Sequence, residues 1–269
     1  MTSRSFTFKS LSDICTLPFS VLQLGVQNNA VSVQGTIEAA LSKLVGHPVQ
    51  ITGAGRTDTS VNAINYIAHF EIPSELSPAR DFQAEQLCYK LNAMLPREIA
   101  VHEISEVSED FHARFDAKSR EYCYFIHFQK DPFAEKFSYR MRYPLDIEAM
   151  NKAAGHLLGE HDFNCFEKVG GNNTTSICTI TEARWTTYRP NHVDLMGAPC
   201  AEGDYIVFRI RANRFLRNMV RAIVGSLIEV GRGKKDPSWI QELIKSGSRS
   251  DAGQSVPGNA LFFCGAEYM

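Results

Sequence analysis

Residues 53 to 63 read Gly53-Ala54-Gly55-Arg56-Thr57-Asp58-Thr59-Ser60-Val61-Asn62-Ala63. Small residues run directly into one arginine, one threonine and one carboxylate. Gly53 and Gly55 admit φ values closed to other residues and let a second molecule approach the backbone. Arg56 offers a planar donor fork that suits phosphate. Asp58 supplies a nucleophile or base on the same turn. The stretch also suits a purely structural role, since Asp and Thr hydrogen-bond their own backbone in turns. It is a poor nucleotide loop: the third glycine of a dinucleotide fingerprint is missing, and no Gly-Lys-Ser/Thr follows.

Working outward, Val49–Thr52 and Ile64–Phe70 read as strands on either side of this turn, and Ser32–Gly46 as a helix before it. Ile37, Ala40, Leu41 and Leu44 form that helix's apolar stripe, and Gly46 suits its C-terminal cap. A second helix is expected over Asp81–Leu95, stopped by Pro96, and a strand over Ile99–Ile104. Further on come a strand at Ser119–Phe128, a helix at Asp146–Gly159, and strands at Ser176–Tyr188 and Asp204–Ala212. A long helix at Asn213–Val230, a short one at Pro237–Ser246 and a closing strand at Ala260–Tyr268 complete the pattern. Strands and helices are interspersed, with several antiparallel pairings implied. The class is α+β, a mixed and mainly antiparallel sheet with helices on one face. The least structured division lies at residues 105 to 118. It suggests two halves of similar character, 1–105 with the Asp58 loop and 106–269 with the arginine-rich helix.

The 269 residues, 44% hydrophobic, can bury a large core without a metal or disulfide staple. Seven cysteines form no C-x-x-C pair, against a zinc site or redox pair, and the odd count is against a full disulfide framework. No signal-peptide pattern or long apolar run is present, so a cytoplasmic protein is expected. Net charge is −2, but Val207–Lys235 carries Arg209, Arg211, Arg214, Arg217, Arg221, Arg232, Lys234 and Lys235 against Glu229 alone. That run reads either as a phosphate footprint or as a solvated helix face. Drawn as one helix, it puts Arg214, Arg217 and Arg221 within about 60° of each other, beside an apolar face. On Ser119–Phe128, Tyr122 and Tyr124 share one face, as core residues or as a platform for an extruded base.

Several segments, in order, resemble the TruA family of transfer-RNA pseudouridine synthases. Gly53–Asp58 matches the family signature G-A-G-R-T-D-x-G-V-H-A without a gap, while Thr59, Ser60 and Asn62 depart from its commonest form. Phe111–Phe115 is similar to F-x-A-R-F, and Arg120, Tyr122 and Tyr124 fit R-x-Y-x-Y. Phe215–Gly225 resembles F-L-x-x-M-V-R-x-I-V-G, and Asp162–Phe166 resembles D-F-T-S-F. The likeness covers about Ser32 to Tyr268, whereas residues 6–28 lack the family's usual Y-D-G-T-x-Y-x-G-W-Q opening.

The resemblance implies the pseudouridine-synthase fold, a homodimer, cofactor-free and metal-free chemistry, and uridines 38 to 40 of the tRNA anticodon stem-loop as targets. It makes Asp58 the essential aspartate and sends Arg56 into the RNA stem. Tyr122 and Leu261 line the base pocket, and Arg221 holds Asp58. Arg214, Arg217, Lys234 and Lys235 become phosphate contacts. A lone carboxylate suits this chemistry better than hydrolysis, which normally uses two. The divergent opening also leaves room for an RNA-binding module of the same fold with weak or no activity.

Overall fold

The computed structural model describes residues 3–11 (backbone only), 32–73, 84–108, 110–168, 170 and 174–268. Residues 81–83 of the expected second helix, and 12–28 of the divergent opening, lie outside these. The chain forms two compact units, Met1–Lys118 with Phe263–Met269, and Ser119–Phe262.

In the first unit, strands β1 (Ser3–Leu11), β2 (Ile51–Gly53), β4 (Tyr66–Pro73) and β5 (Ala100–Val107) form an antiparallel sheet in the order β2-β4-β1-β5. A two-residue strand, β3 (Asn62–Ala63), lies in the loop that follows β2. β1 sits between β4 and β5, at a place where the sequence reading had no strand. Helix α1 (Val33–Val45) starts on Ser32, whose hydroxyl accepts from the Gly35 amide at 3.0 Å. It ends at Gly46, in the left-handed region at φ 77°, as the capping role of that glycine requires. Ile37, Ala40, Leu41 and Val45 are its buried face. Helix α2 (Ala84–Met94) is clamped to β5 by Asn92, whose amide donates to the Val101 carbonyl at 2.6 Å and accepts from its N–H at 2.8 Å. β4 is covered on both sides: Tyr66 packs on Phe263, while His69 accepts from the Ala113 amide at 3.0 Å.

In the second unit, β6 (Ser119–His127), β8 (Gly159–Asp162), β9 (Ile177–Thr187) and β10 (Tyr205–Ala212) pair antiparallel in the order β6-β10-β9-β8. A short β7 (Tyr139–Arg140) adds to β6 in parallel. Helices α3 (Ile147–Gly155), α5 (Met219–Gly231) and α6 (Trp239–Ser246) pack with this sheet, and one turn, α4 (Asn191–Asp194), precedes β10. Asn151 on α3 brackets Trp185 on β9, donating to its carbonyl at 3.1 Å and accepting from its amide at 2.7 Å. The chain then enters β11 (Leu261–Glu267), whose first two residues belong to this unit and whose remainder belongs to the first. The α+β class expected from the pattern is the class observed. No helix among the described residues is long and apolar enough to cross a membrane.

Candidate active site

The Asp58 loop belongs to the first unit. It is held from within by Tyr66, whose hydroxyl donates to the Gly55 carbonyl and accepts from the Gly55 amide at 3.1 Å. The Tyr66 ring lies directly on Gly53. A Cβ there would stand 2.7 Å from the ring's Cε1 and 2.9 Å from its Cζ, so only glycine fits. A Cβ on Gly55 would meet nothing within 4 Å. Gly53 thus serves close approach, neither glycine is left-handed, and nothing in the structure requires a glycine at 55. The conformation that favours glycine falls instead on Ser60, at φ 68°. Val61 N–H donates to the Asp58 carbonyl at 3.2 Å, closing a turn with Thr59 and Ser60 at its centre. Positive φ at the third residue alone is the pattern of a type II turn, which selects glycine there. Ser60 stands where the family signature has that glycine. Buried Ala54, Thr57, Val61 and Asn62 anchor the loop, Arg56 is exposed, and Asp58 is half-buried.

Tyr122, Arg221 and Leu261 belong to the second unit. Tyr122 lies on β6 opposite Ile210, half-buried, with the Phe215 ring edge-on at 5.1 Å. Tyr124, on the same face, is core: its hydroxyl donates to the Pro257 carbonyl at 3.0 Å, and burial pushes its pKa far above the ordinary phenol value. The alternation on β6 therefore splits the two tyrosines by depth.

The long helix expected from Asn213 starts six residues later, at Met219. Asn213 prolongs the sheet margin instead: its amide donates to the Thr179 carbonyl at 3.1 Å, and its side-chain oxygen accepts from the Thr179 amide at 2.9 Å. Asn218, at φ 64°, then turns the chain into α5. Arg214 and Arg217 consequently lie before the helix, and the three-arginine helical face expected from the wheel does not form. Arg221, in the first turn of α5, donates from Nε to the Val256 carbonyl at 2.7 Å, while its own carbonyl accepts from the Val256 amide at 3.2 Å. A strap, residues 253–257, is laced along α5. Gly253 N–H donates to Ser226 Oγ at 2.8 Å, and Asn218 Nδ2 donates to Ser255 Oγ at 2.5 Å. Arg249 donates to the Gly253 carbonyl at 3.1 Å and to Ser255 Oγ at 2.7 Å. The strap presses on Gly225, where a Cβ would reach the Gln254 carbonyl group, its carbon at 2.9 Å. It ends in a helical turn, Gly258–Ala260, that delivers the buried Leu261. Sequence reasoning missed Tyr66, Arg249 and the strap. Nothing local marks Tyr66 apart from Phe70 in the same strand, and the strap has no periodicity.

Four of the eight cations of the basic run share two acids inside this unit. Arg209 and Arg211 both bind Glu121, Arg211 at 2.5 Å, with the Glu121 side chain only 13% exposed. Glu229 pairs with Lys234 at 3.0 Å and Arg232 at 3.4 Å. Lys235 lies 5.0 Å from the Trp239 ring centre, while Arg217 is exposed ahead of the helix.

A family model described as "tRNA pseudouridine synthase" matches residues 153–269. The tRNA pseudouridine synthase A of Porphyromonas gingivalis is 44% identical over 236 residues, covering 88% of this chain and 87% of that protein. That of Parabacteroides distasonis is 44% identical over 243 residues, covering 90% and 89%. The tRNA pseudouridine synthase A 2 of Clostridium perfringens is 38% identical over 232 residues, covering 86% and 87%. Identity of this degree over nearly the whole length of each protein makes the chain a member of the TruA family of tRNA pseudouridine synthases.

Proposed function

We propose that this protein converts uridine to pseudouridine at positions 38 to 40 of the tRNA anticodon stem-loop. The carrying observation is the Asp58 turn, which offers a half-buried carboxylate next to an exposed Arg56 on a loop braced by Tyr66. The reaction is an isomerisation. The bond from uracil N1 to the ribose C1′ breaks, the ring turns, and C5 bonds to C1′. C5 then loses its proton and N1 gains one, so no oxidant, reductant or hydrolytic water is consumed. Asp58 acts on the sugar, as nucleophile or as base, and needs no second carboxylate. Arg56 enters the stem and helps extrude the base, a step that costs a few kcal/mol of unstacking. Tyr122 and Leu261 enclose the extruded uracil, and Arg221 orients Asp58 through the planar fork that an ammonium lacks. Arg214, Arg217, Lys234 and Lys235 contact phosphate.

The protein acts as a cytoplasmic homodimer in this reading, and its two halves are variants of one plan. The strand orders β2-β4-β1 and β9-β10-β6 support one plan for the two halves.

The test is Asp58→Asn, which keeps shape but not basicity. Pseudouridine formed in tRNA should fall roughly 1000-fold or more, with tRNA affinity retained. Robust product from this variant in single turnover would remove Asp58 from the chemistry. A wild-type protein that binds tRNA but forms no pseudouridine would favour the inactive module.

A further inference from the structure

Positive charge left unpaired within the second unit collects away from the basic run. A cleft of about 410 Å³ is lined by Glu135, Tyr139, Arg140, Arg142, Tyr143 and Asn259, among others. Arg140 ends β7, opposite His127 of β6. Its Nε is shielded from water and has no hydrogen-bond partner among the described residues. A buried guanidinium N–H without an acceptor costs on the order of 1–3 kcal/mol or more, a cost that an anion held by the Arg140 guanidinium would help offset. Arg142 is exposed and forms no ion pair among the described residues. The carboxylate on the wall, Glu135, is turned to buried His127, its Oε2 lying 3.4 Å from the imidazole Nε2. Arg232 lies 5.1 Å from the centre of the Tyr143 ring, but Glu229 holds its charge.

We propose that this cleft binds a phosphodiester of the tRNA backbone, outside the pocket for the target uridine, with Arg140 and Arg142 as the phosphate ligands. The inference rests on the tRNA reading above. Its placement follows from Asn259, which lines the cleft and also donates to the Lys136 carbonyl at 3.2 Å. Leu261 follows two residues later, at most about 7 Å along the chain. Two arginines with a bidentate fork outnumber the one carboxylate on the wall and favour a dianion or a chain of monoanions over a cation or an apolar ligand.

The experiment measures binding of a full-length tRNA transcript from 50 to 300 mM KCl, for wild type and for Arg140→Gln/Arg142→Gln. Affinity at 100 mM should fall about tenfold in the double variant, and equally for unrelated tRNA sequences. The log–log salt slope should flatten by about 1.4 to 1.8, from roughly 0.7 to 0.9 per phosphate contact. A slope and affinity equal to wild type, in a protein with an unchanged thermal midpoint, overturns the proposal. If the double variant fails to fold, Arg142→Gln alone decides: flattening by about 0.7 to 0.9 supports the cleft, and no change overturns it. Millimolar inorganic phosphate provides the second arm. If it raises the wild-type midpoint and not the variant's, while the tRNA slope stays put, the cleft serves small phosphates and the RNA assignment falls. Binding needs no catalysis, so loss of the uridine-isomerase reading shows separately, as absent pseudouridine in wild type.

Discussion

Ser60→Gly should stabilise the Asp58 loop. Ser60 holds φ 68° as the third residue of the turn that Asp58 opens. An L-residue in the left-handed region costs about 1–2 kcal/mol, and an isolated serine in a turn sits near the low end. Glycine removes that cost but loosens the unfolded chain by about 0.4–1 kcal/mol. The net gain is about 0.5 kcal/mol, or a rise of roughly 1–2 °C in the unfolding midpoint of a chain of this size. Ser60→Val moves the other way, because a β-branched residue tolerates this φ least. It should lose about another 1 kcal/mol, or roughly 2–4 °C. Both tryptophans, Trp185 and Trp239, lie in the second unit, so their fluorescence does not report on the Asp58 loop locally. Calorimetry, with hydrogen exchange at the Val61 and Ile64 amides, reads it directly. The order Gly above Ser above Val is the prediction. A glycine variant less stable than wild type, or a valine variant equal to it, refutes the strain argument.

Two further outcomes follow from packing and burial. Gly225→Ala should lose about 3 kcal/mol in urea unfolding, because its Cβ meets the Gln254 backbone, whereas Gly231→Ala should lose about 1, because it meets the flexible end of Met150. His69 and His127 both have pKa values held below 6.5, chiefly by burial. Between the folded pKa and 6.5 the unfolded chain binds more protons, so stability is full above about pH 6.5 and falls as pH drops beneath it. His127→Gln should flatten that slope, and an unchanged pH profile of the urea midpoint would exclude His127 as a contributor.

What was legible in the sequence was whatever repeats with a short period or sits in one unbroken motif. The α1 stripe and its Gly46 cap, the β6 alternation and the strands flanking the Asp58 loop all depend on neighbours within a few residues. β1 escaped notice although Phe6 and Phe8 alternate with polar residues, because its place between β4 and β5 is a long-range fact. The long helix was overextended because Asn213–Asn218 keeps a helical composition. Its conformation is set by Thr179 on another strand and by the positive φ of Asn218. The glycines were read for the right loop and the wrong reason: Gly53 answers to the Tyr66 ring thirteen residues on, and the demand for positive φ sits on a serine.

Charge shows the same limit more sharply. A basic run is counted along the chain, but an RNA phosphate meets only the charge left over after folding. Glu121 lies 88 residues from Arg209 and 90 from Arg211, and it binds both across neighbouring strands. Glu229 then holds two of the remaining cations. The sequence-dense stretch therefore arrives at the surface diluted. Arg140 and Arg142, inconspicuous between Tyr139 and Tyr143, outnumber the one acid that shares their cleft, Glu135. Salt dependence measures this surplus and not the count, since each phosphate contact releases its own counterions. Removing Arg140 and Arg142 should therefore flatten the slope more than removing Lys234 and Lys235, whose charges Glu229 and the Trp239 ring already engage. The reverse order would mean that those engagements yield to RNA and that the linear run was the better guide.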